Sequence, residues 1–340
     1  NIVFQQKLGT LLDKTERITG LAGELAETIG SSPDMARRAA RLCKADLGTD
    51  MVLEFSNMQG IAGAYYALHD GEDAEVASAI AQQYRPGYAG DKLPDTETAA
   101  CLGLADRLDT LVGIFGIGQP PSGSKDPFAL RRASLAVLRI IVEKGFDLDL
   151  RHCLERAAGQ YPAGLLSPGT TEAVLDYMIE RFRAWYEDDN IPAEVFKAVS
   201  ARKPSRPLDI HQRVLAVAAF SRLPQAQALA AANKRVANIL AKLDSDHYFS
   251  EVSANLLQEP QEIALAQHIG PLQASCHQDL LDGKYTEALT SLASLRDPVD
   301  AFFDQVMVNT DDEAKRNNRL NLLMQLRQLF LEVADISLLA

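Results

Sequence analysis

Apolar residues recur at i, i+3, i+4 and i+7 over long stretches of this chain. Examples are Leu135, Val137, Leu138, Ile140 and Ile141, and then Val174, Leu175, Met178, Ile179 and Phe182. That spacing puts one apolar stripe on a helix of 3.6 residues per turn. Abundant Ala favours the same state, and alternating β-branched runs between tight turns are scarce. The pattern predicts an all-α protein.

Punctuation divides the pattern into three parts: 1–115, 116–205 and 206–340. The first contains loops at Arg85-Pro86-Gly87-Tyr88-Ala89-Gly90 and at Pro94-Asp95. The run Gly116-Ile117-Gly118-Gln119-Pro120-Pro121-Ser122-Gly123-Ser124 reads as a connector. Asp126-Pro127 then reads as a helix start, with Asp126 or Ser124 as cap and Pro in the first turn. Arg202-Lys203-Pro204-Ser205-Arg206-Pro207 is a second break, and further breaks are expected at Pro260, Pro271 and Pro298. No repeat or low-complexity tract interrupts the chain.

Composition narrows the class. At 340 residues and 47% apolar content, the chain can build packed cores. No run of ~18 apolar residues is present, so a membrane span is not expected. It opens Asn1-Ile2-Val3 without Met and without a basic-then-apolar leader. We read that start as a chain boundary or processing site, with a further N-terminal part expected. Cys43, Cys101, Cys153 and Cys276 are far apart and form no C-x-x-C pair, which predicts reduced, buried thiols of a cytoplasmic protein and no zinc site.

A net charge of −12 argues against a general nucleic-acid binder. The charge is uneven, however. From Arg181 to Lys242, eleven Lys and Arg stand against five Asp and Glu, a local excess of six positive charges. A basic patch on an acidic body suits an RNA gripped at one place; a solvated helix face is the alternative. Lys234 and Arg235 lie ~100° apart on an Ala-rich helix, so they can flank one phosphate. Asn233 and Asn238 offer the donors and acceptors that base edges need. Arg202, Lys203 and Arg206 sit in a Pro-rich break and are candidates for phosphate contact. Arg131 and Arg132 are either helix salt bridges or RNA contacts, as is Arg319, which follows the acidic turn Asp311-Asp312-Glu313. Phe302 and Phe303 are either core residues or a stacking platform.

Ala45-Asp46 and, farther on, Leu104-Ala105-Asp106-Arg107-Leu108-Asp109 resemble two helices of the HD phosphohydrolase family. That family holds a divalent metal through a His, a His-Asp pair and a distant Asp. Here the corresponding positions are Gln5, Ala45, Asp46 and Asp106, so both imidazoles are missing. The resemblance implies an HD-like helical domain over 1–115 that binds no metal and hydrolyses nothing. His69-Asp70 spells the motif letters, but it stands at a helix end beside Gly71.

Several blocks together carry a second resemblance. They are Lys7-Leu8-Gly9-Thr10, Lys44-Ala45-Asp46-Leu47, Asp106-Arg107-Leu108-Asp109-Thr110-Leu111, Lys125-Asp126-Pro127-Phe128-Ala129-Leu130-Arg131-Arg132, Ala232-Asn233-Lys234-Arg235-Val236-Ala237-Asn238, and Phe302-Phe303-Asp304-Gln305. The set resembles the C-terminal half of the β-subunit family of bacterial α2β2 glycyl-tRNA synthetases. The part 206–340 is similar to the helical anticodon-binding domain of arginyl-tRNA synthetase and its relatives, with 116–205 as a helical linker. The resemblance implies a tRNA-binding portion that positions tRNA(Gly) for ATP-dependent glycylation at the α subunit. It implies no catalytic residue and no cofactor in this chain, with ATP and Mg at the α subunit. Two other readings stay open: an active HD-type metal phosphohydrolase, and a structural module that only joins subunits.

Overall fold

The computed structural model describes residues 2–243 and 249–340. The expected helical character is present: sixteen α-helices are described, with one two-stranded ribbon, Val3–Gln5 (β1) against Gly9–Thr10 (β2). The described chain forms two compact units, residues 1–185 with 205–208, and residues 186–204 with 209–340. Residues 116–185, expected as a connector and linker, therefore pack with the first unit.

The first unit contains α1 (Leu11–Ile29), α2 (Pro33–Leu42), α3 (Asp50–Glu54), α4 (Ile61–His69), α5 (Ala74–Gln82), α6 (Glu97–Gly116), α7 (Leu130–Glu143), α8 (Leu150–Gly159) and α9 (Thr170–Asp188) as far as residue 185. Helix α6 is apolar around most of its circumference, and α1, α2, α5, α7 and α8 pack against it. A helix of that composition belongs in the centre of a core. Helix α1 starts with a capping box: the Thr10 hydroxyl accepts from the Asp13 N–H, and the Asp13 carboxylate accepts from the Thr10 N–H.

The second unit contains α10 (Ala193–Ser200), α11 (Pro207–Phe220) from residue 209, α12 (Ala226–Leu240), α13 (Pro260–Leu281), α14 (Tyr285–Leu292), α15 (Arg296–Gln305) and α16 (Glu313–Leu331). Helix α12 packs against α15, α16 and the 3-10 turn Ile336–Leu339; α13 packs against α14, α15 and α16. Two buried side chains fasten α13 to α16: the Arg319 guanidinium is paired with the Glu262 carboxylate, and it also donates 2.7 Å to the Met307 carbonyl. Asn318 and Asn321 on α16 are buried as well, and they hold the backbone at Ser253 and Ser250.

Two local expectations are corrected. Helix α7 starts at Leu130, not at Asp126-Pro127. Ala129 takes a left-handed backbone (φ 54°), and the Asp126 carboxylate reaches forward to accept the N–H groups of Leu130 and Arg131 at 2.8 and 3.0 Å. Pro271 lies inside α13 and does not end it. Pro271, which has no N–H to give the Gln267 carbonyl, lies with Gln267 on the exposed side of that helix, where water can take over.

Removing one member of a buried ion pair leaves the other charged and unsatisfied. Glu262→Ala is therefore expected to cost about 3–5 kcal/mol in urea unfolding of the second unit. A change within about 0.5 kcal/mol, the size of a surface substitution, would contradict the assignment.

Candidate nucleic-acid interface and the degenerate pocket

The residues singled out as HD-like occupy the first unit. Asp106, on the central helix α6, has its carboxylate between two ammonium groups. Lys14 of α1 approaches Oδ1 at 3.0 Å, and Lys44, just after α2, lies 2.9 Å from Oδ2. Each lysine has further partners. The Lys14 Nζ donates to Asp109 Oδ2 at 2.9 Å and to the Thr110 hydroxyl at 2.7 Å, and it lies over the Phe4 ring. The Lys44 Nζ donates to the Gln83 amide oxygen at 2.8 Å and to the Tyr84 hydroxyl at 3.3 Å. Arg17 completes the set with Nε on Asp109 Oδ1 at 2.7 Å.

Burial alone would raise the Asp106 pKa and lower that of Lys44. The mutual attraction outweighs burial in both. Asp106 is held well below the usual carboxylate range by Lys14 and Lys44, and the Asp106 carboxylate holds Lys44 above its ordinary value.

The other expected members stand elsewhere in this arrangement. Asp46 is buried and its Oδ2 accepts the N–H groups of Gly60 at 2.6 Å and Gly63 at 3.1 Å. Gly60 has φ 78°, and a Cβ on Gly63 would meet Asp46 Oδ2 at 3.0 Å, so these glycines let the backbone close on the carboxylate. The Gln5 amide oxygen accepts from the N–H groups of Lys7 and Leu8 at the ribbon turn. Position 45 is alanine. These residues do not fit a divalent metal: one carboxylate is neutralised by ammonium groups and another is turned to backbone N–H groups. His69 and Asp70 lie at the end of α4, both exposed. All four cysteines are free and buried; burial pushes Cys43, Cys101 and Cys153 up to about 12 and Cys276 to about 11.

The cationic candidates of the second unit separate by burial. On α12, Ala231, Lys234, Arg235 and Asn238 are exposed, and so is Lys242 in the turn that follows. Their spacing of three, four, seven and eleven from Ala231 keeps them on one side of the helix and the turn after it. The Lys234 Nζ donates to the Ala340 main-chain oxygen at 2.7 Å. The Arg235 guanidinium lies 4.3 Å from the centre of the Phe303 ring. Phe303 is half-buried, whereas Phe302 is fully buried and packs edge-on against it. So Phe302 is a core residue, and Phe303 supports a cation.

Asn233 and Arg319 are corrected. Asn233 is 1% exposed and its amide N–H donates to the Leu229 carbonyl of its own helix. Arg319 is spent on Glu262 and Met307. Neither presents a donor to an external ligand. The remaining candidates are at the surface, and Arg202, Arg206 and Arg131 have partners of their own. Arg202 is exposed and donates to the Leu331 carbonyl at 2.5 Å. Lys203 is exposed with a left-handed backbone, φ 51°. In the first unit, Arg206 is ion-paired with Asp147 at 2.6 Å on the wall of a cavity of about 480 Å³ that Glu24, Asp149 and Arg156 also line. Arg131 donates to the Gly123 carbonyl at 2.5 Å, and Arg132 is exposed.

Comparison with known proteins bears on both units. The family model described as glycyl-tRNA synthetase beta subunit matches residues 1–201, and the model described as DALR anticodon binding domain matches residues 229–336. The chain belongs to the glycyl-tRNA synthetase β-subunit family. It is 55% identical over 338 residues to the glycine–tRNA ligase beta subunit of Marinobacter nauticus. It is 53% identical over 337 residues to that of Aliivibrio salmonicida, and 53% over 339 residues to that of Citrobacter koseri. Each alignment covers 99% of this chain and 49% of the relative, so the chain spans about half the length of the curated relatives it matches.

The match to the anticodon-binding model includes all of α12 from Leu229 onward, and α13 to α16. In this member of the glycyl-tRNA synthetase β-subunit family, the residues that sequence reasoning undervalued are Lys14, Lys44 and Asp109. Lys44 and Asp109 stand in blocks that carry the resemblance, but nothing in the spacing of the sequence says that the ammonium groups of Lys14 and Lys44 converge on Asp106. Lys242 was counted in the basic run without being placed on the α12 face.

Two outcomes follow for the pocket. Lys44→Met removes one of two ammonium partners of a part-buried carboxylate and is expected to cost about 1.5–3 kcal/mol of unfolding free energy. Asp106 has a depressed folded pKa, so its contribution is fully present above its unfolded value of about 3.9 and is lost as pH falls below that. The unfolding free energies of the parent chain and Asp106→Asn should therefore be separated by a constant gap above pH ~4 and should converge below it.

Proposed function

We propose that this chain is the tRNA-binding portion of the β subunit of a glycine–tRNA ligase. It positions tRNA(Gly) for ATP-dependent glycylation at an active site on the α subunit, within an α2β2 assembly in the cytoplasm. The single observation that carries the reading is the outward face of α12 within the segment matched by the anticodon-binding model: Lys234, Arg235 and Asn238 share one side of a helix whose opposite side is buried, and Lys242 follows in the turn after it.

The chemistry is that of a scaffold. The cations neutralise phosphates and supply affinity; the Asn238 amide offers a donor and an acceptor to an unstacked base. Arg235 is braced over Phe303, so less of its rotamer freedom is lost on binding. Lys203 and Arg132, both exposed, are further phosphate contacts in this reading, and Arg202, Arg131 and Arg206 reach a phosphate only by exchanging their present partners. The chain carries no catalytic residue and holds no cofactor of its own; ATP and Mg belong to the α subunit. No helix among the described residues is long and apolar enough to cross a membrane.

Gel-shift titration of tRNA(Gly) at two salt concentrations tests the reading. Binding should weaken steeply with salt, and the double variant Lys234→Glu with Arg235→Glu should lose at least about tenfold in affinity. Its salt slope should become shallower by about one to two, as expected for two lost phosphate contacts. Affinity indifferent to both salt and charge reversal would assign the chain to subunit joining alone.

A further inference from the structure

Helix α4 is apolar on every side. Ala62, Gly63 and Ala67 face inward and are buried, yet Ile61, Tyr65 and Leu68, at i, i+4 and i+7, form an outward stripe that is just as apolar. A helix with that composition is ordinarily covered on both faces. The segment before it extends the same surface: Met51, Leu53 and Phe55 are all exposed, Leu53 at 69% and Tyr65 at 70%. Ile2, also exposed, belongs to the same place, since its Cδ1 lies 4.0 Å from where a Cβ on Gly48 would be. An exposed apolar area of this extent marks a contact surface.

Its chemistry says which kind. Between Met51 and His69 there is one acid, Glu54, and there is no Lys or Arg at all, in a chain that is 24% charged. A polyanion would find no counter-charge there. Tyr, Phe and Met with few charges is the composition of the core of a protein–protein interface. The cations lie elsewhere, so this face is separate from the RNA-binding surface proposed above.

We infer that the α3–α4 face is covered by the remaining half of the full-length subunit. The matched relatives are single chains about twice as long as this one, so half of each lies outside the matched region. A segment of the same chain meets the patch at an effective concentration near millimolar, with no second molecule to recruit. A separate subunit would leave the same apolar surface open to aggregation whenever it dissociated. The inference rests on family membership and on the length of the relatives, not on RNA binding, so tRNA titration and the following test can fail independently.

Tyr65→Cys and Leu53→Cys report on the face, because the four native thiols are buried and the two replaced side chains are exposed. Each is placed in this chain and in the full-length subunit, and maleimide labelling is timed. Labelling of both should slow on the order of tenfold or more in the full-length subunit without the α subunit, the mark of at least about 1.4 kcal/mol of closure. Equal rates overturn the inference. So does protection that appears only when the α subunit is added, or protection that grows with the concentration of this chain alone, because each assigns the face to a different occupant.

Discussion

The first unit is organised around one part-buried carboxylate. Asp106 projects from the central helix α6, and the two ammonium groups that neutralise it come from different parts of the chain, Lys14 on α1 and Lys44 after α2. One helical turn later, Asp109 binds Lys14 again and takes Arg17 besides. The cost of burying any one of these charges is offset only when all are in place, which ties the register of α1 and α2 to α6. It also decides the chemistry of the pocket. A carboxylate that already has two fixed cations has little to offer a metal ion, and Asp46 has turned its Oδ2 to the backbone of Gly60 and Gly63. The protein's own cations stand beside the carboxylate that the HD resemblance assigned to a metal.

The second unit sorts its cations by burial. Arg319 and Arg213 act inward: Arg319 joins α16 to α13, and Arg213 binds Asp209, the Glu332 and Val333 carbonyls and the Tyr285 hydroxyl. Both are cross-braces. Lys234 and Arg235 on one side of α12, and Lys242 in the turn after it, act outward, and the proposed RNA surface is built from these. Charge in the sequence is thus a poor guide to function until burial separates the braces from the contacts.

The helical class was legible because the periodicity that signals it is the same periodicity that packs the cores. Family membership was legible because blocks such as Lys125 to Arg132 keep their order along the whole chain. What stayed hidden was directional. Asn233 and Asn238 are indistinguishable in a helical pattern until packing puts the first inside and the second outside. Arg319 followed an acidic turn, but its partner Glu262 lies 57 residues away and could not be inferred from local spacing. Helix α7 started late because a left-handed residue at Ala129 let Asp126 cap at long reach, which no propensity rule anticipates. Pro271 failed to break α13 because the carbonyl it orphans is on the wet side.

Ultraviolet crosslinking of full-length subunit to tRNA(Gly), followed by mass spectrometry of the attached peptides, tests the central claim most directly, since it locates the RNA without presupposing any residue. The account predicts crosslinked peptides from residues 231–242, and none from the segments around Asp46 and Asp106. Crosslinks that cluster on the Asp46 and Asp106 segments and leave 231–242 untouched would contradict it.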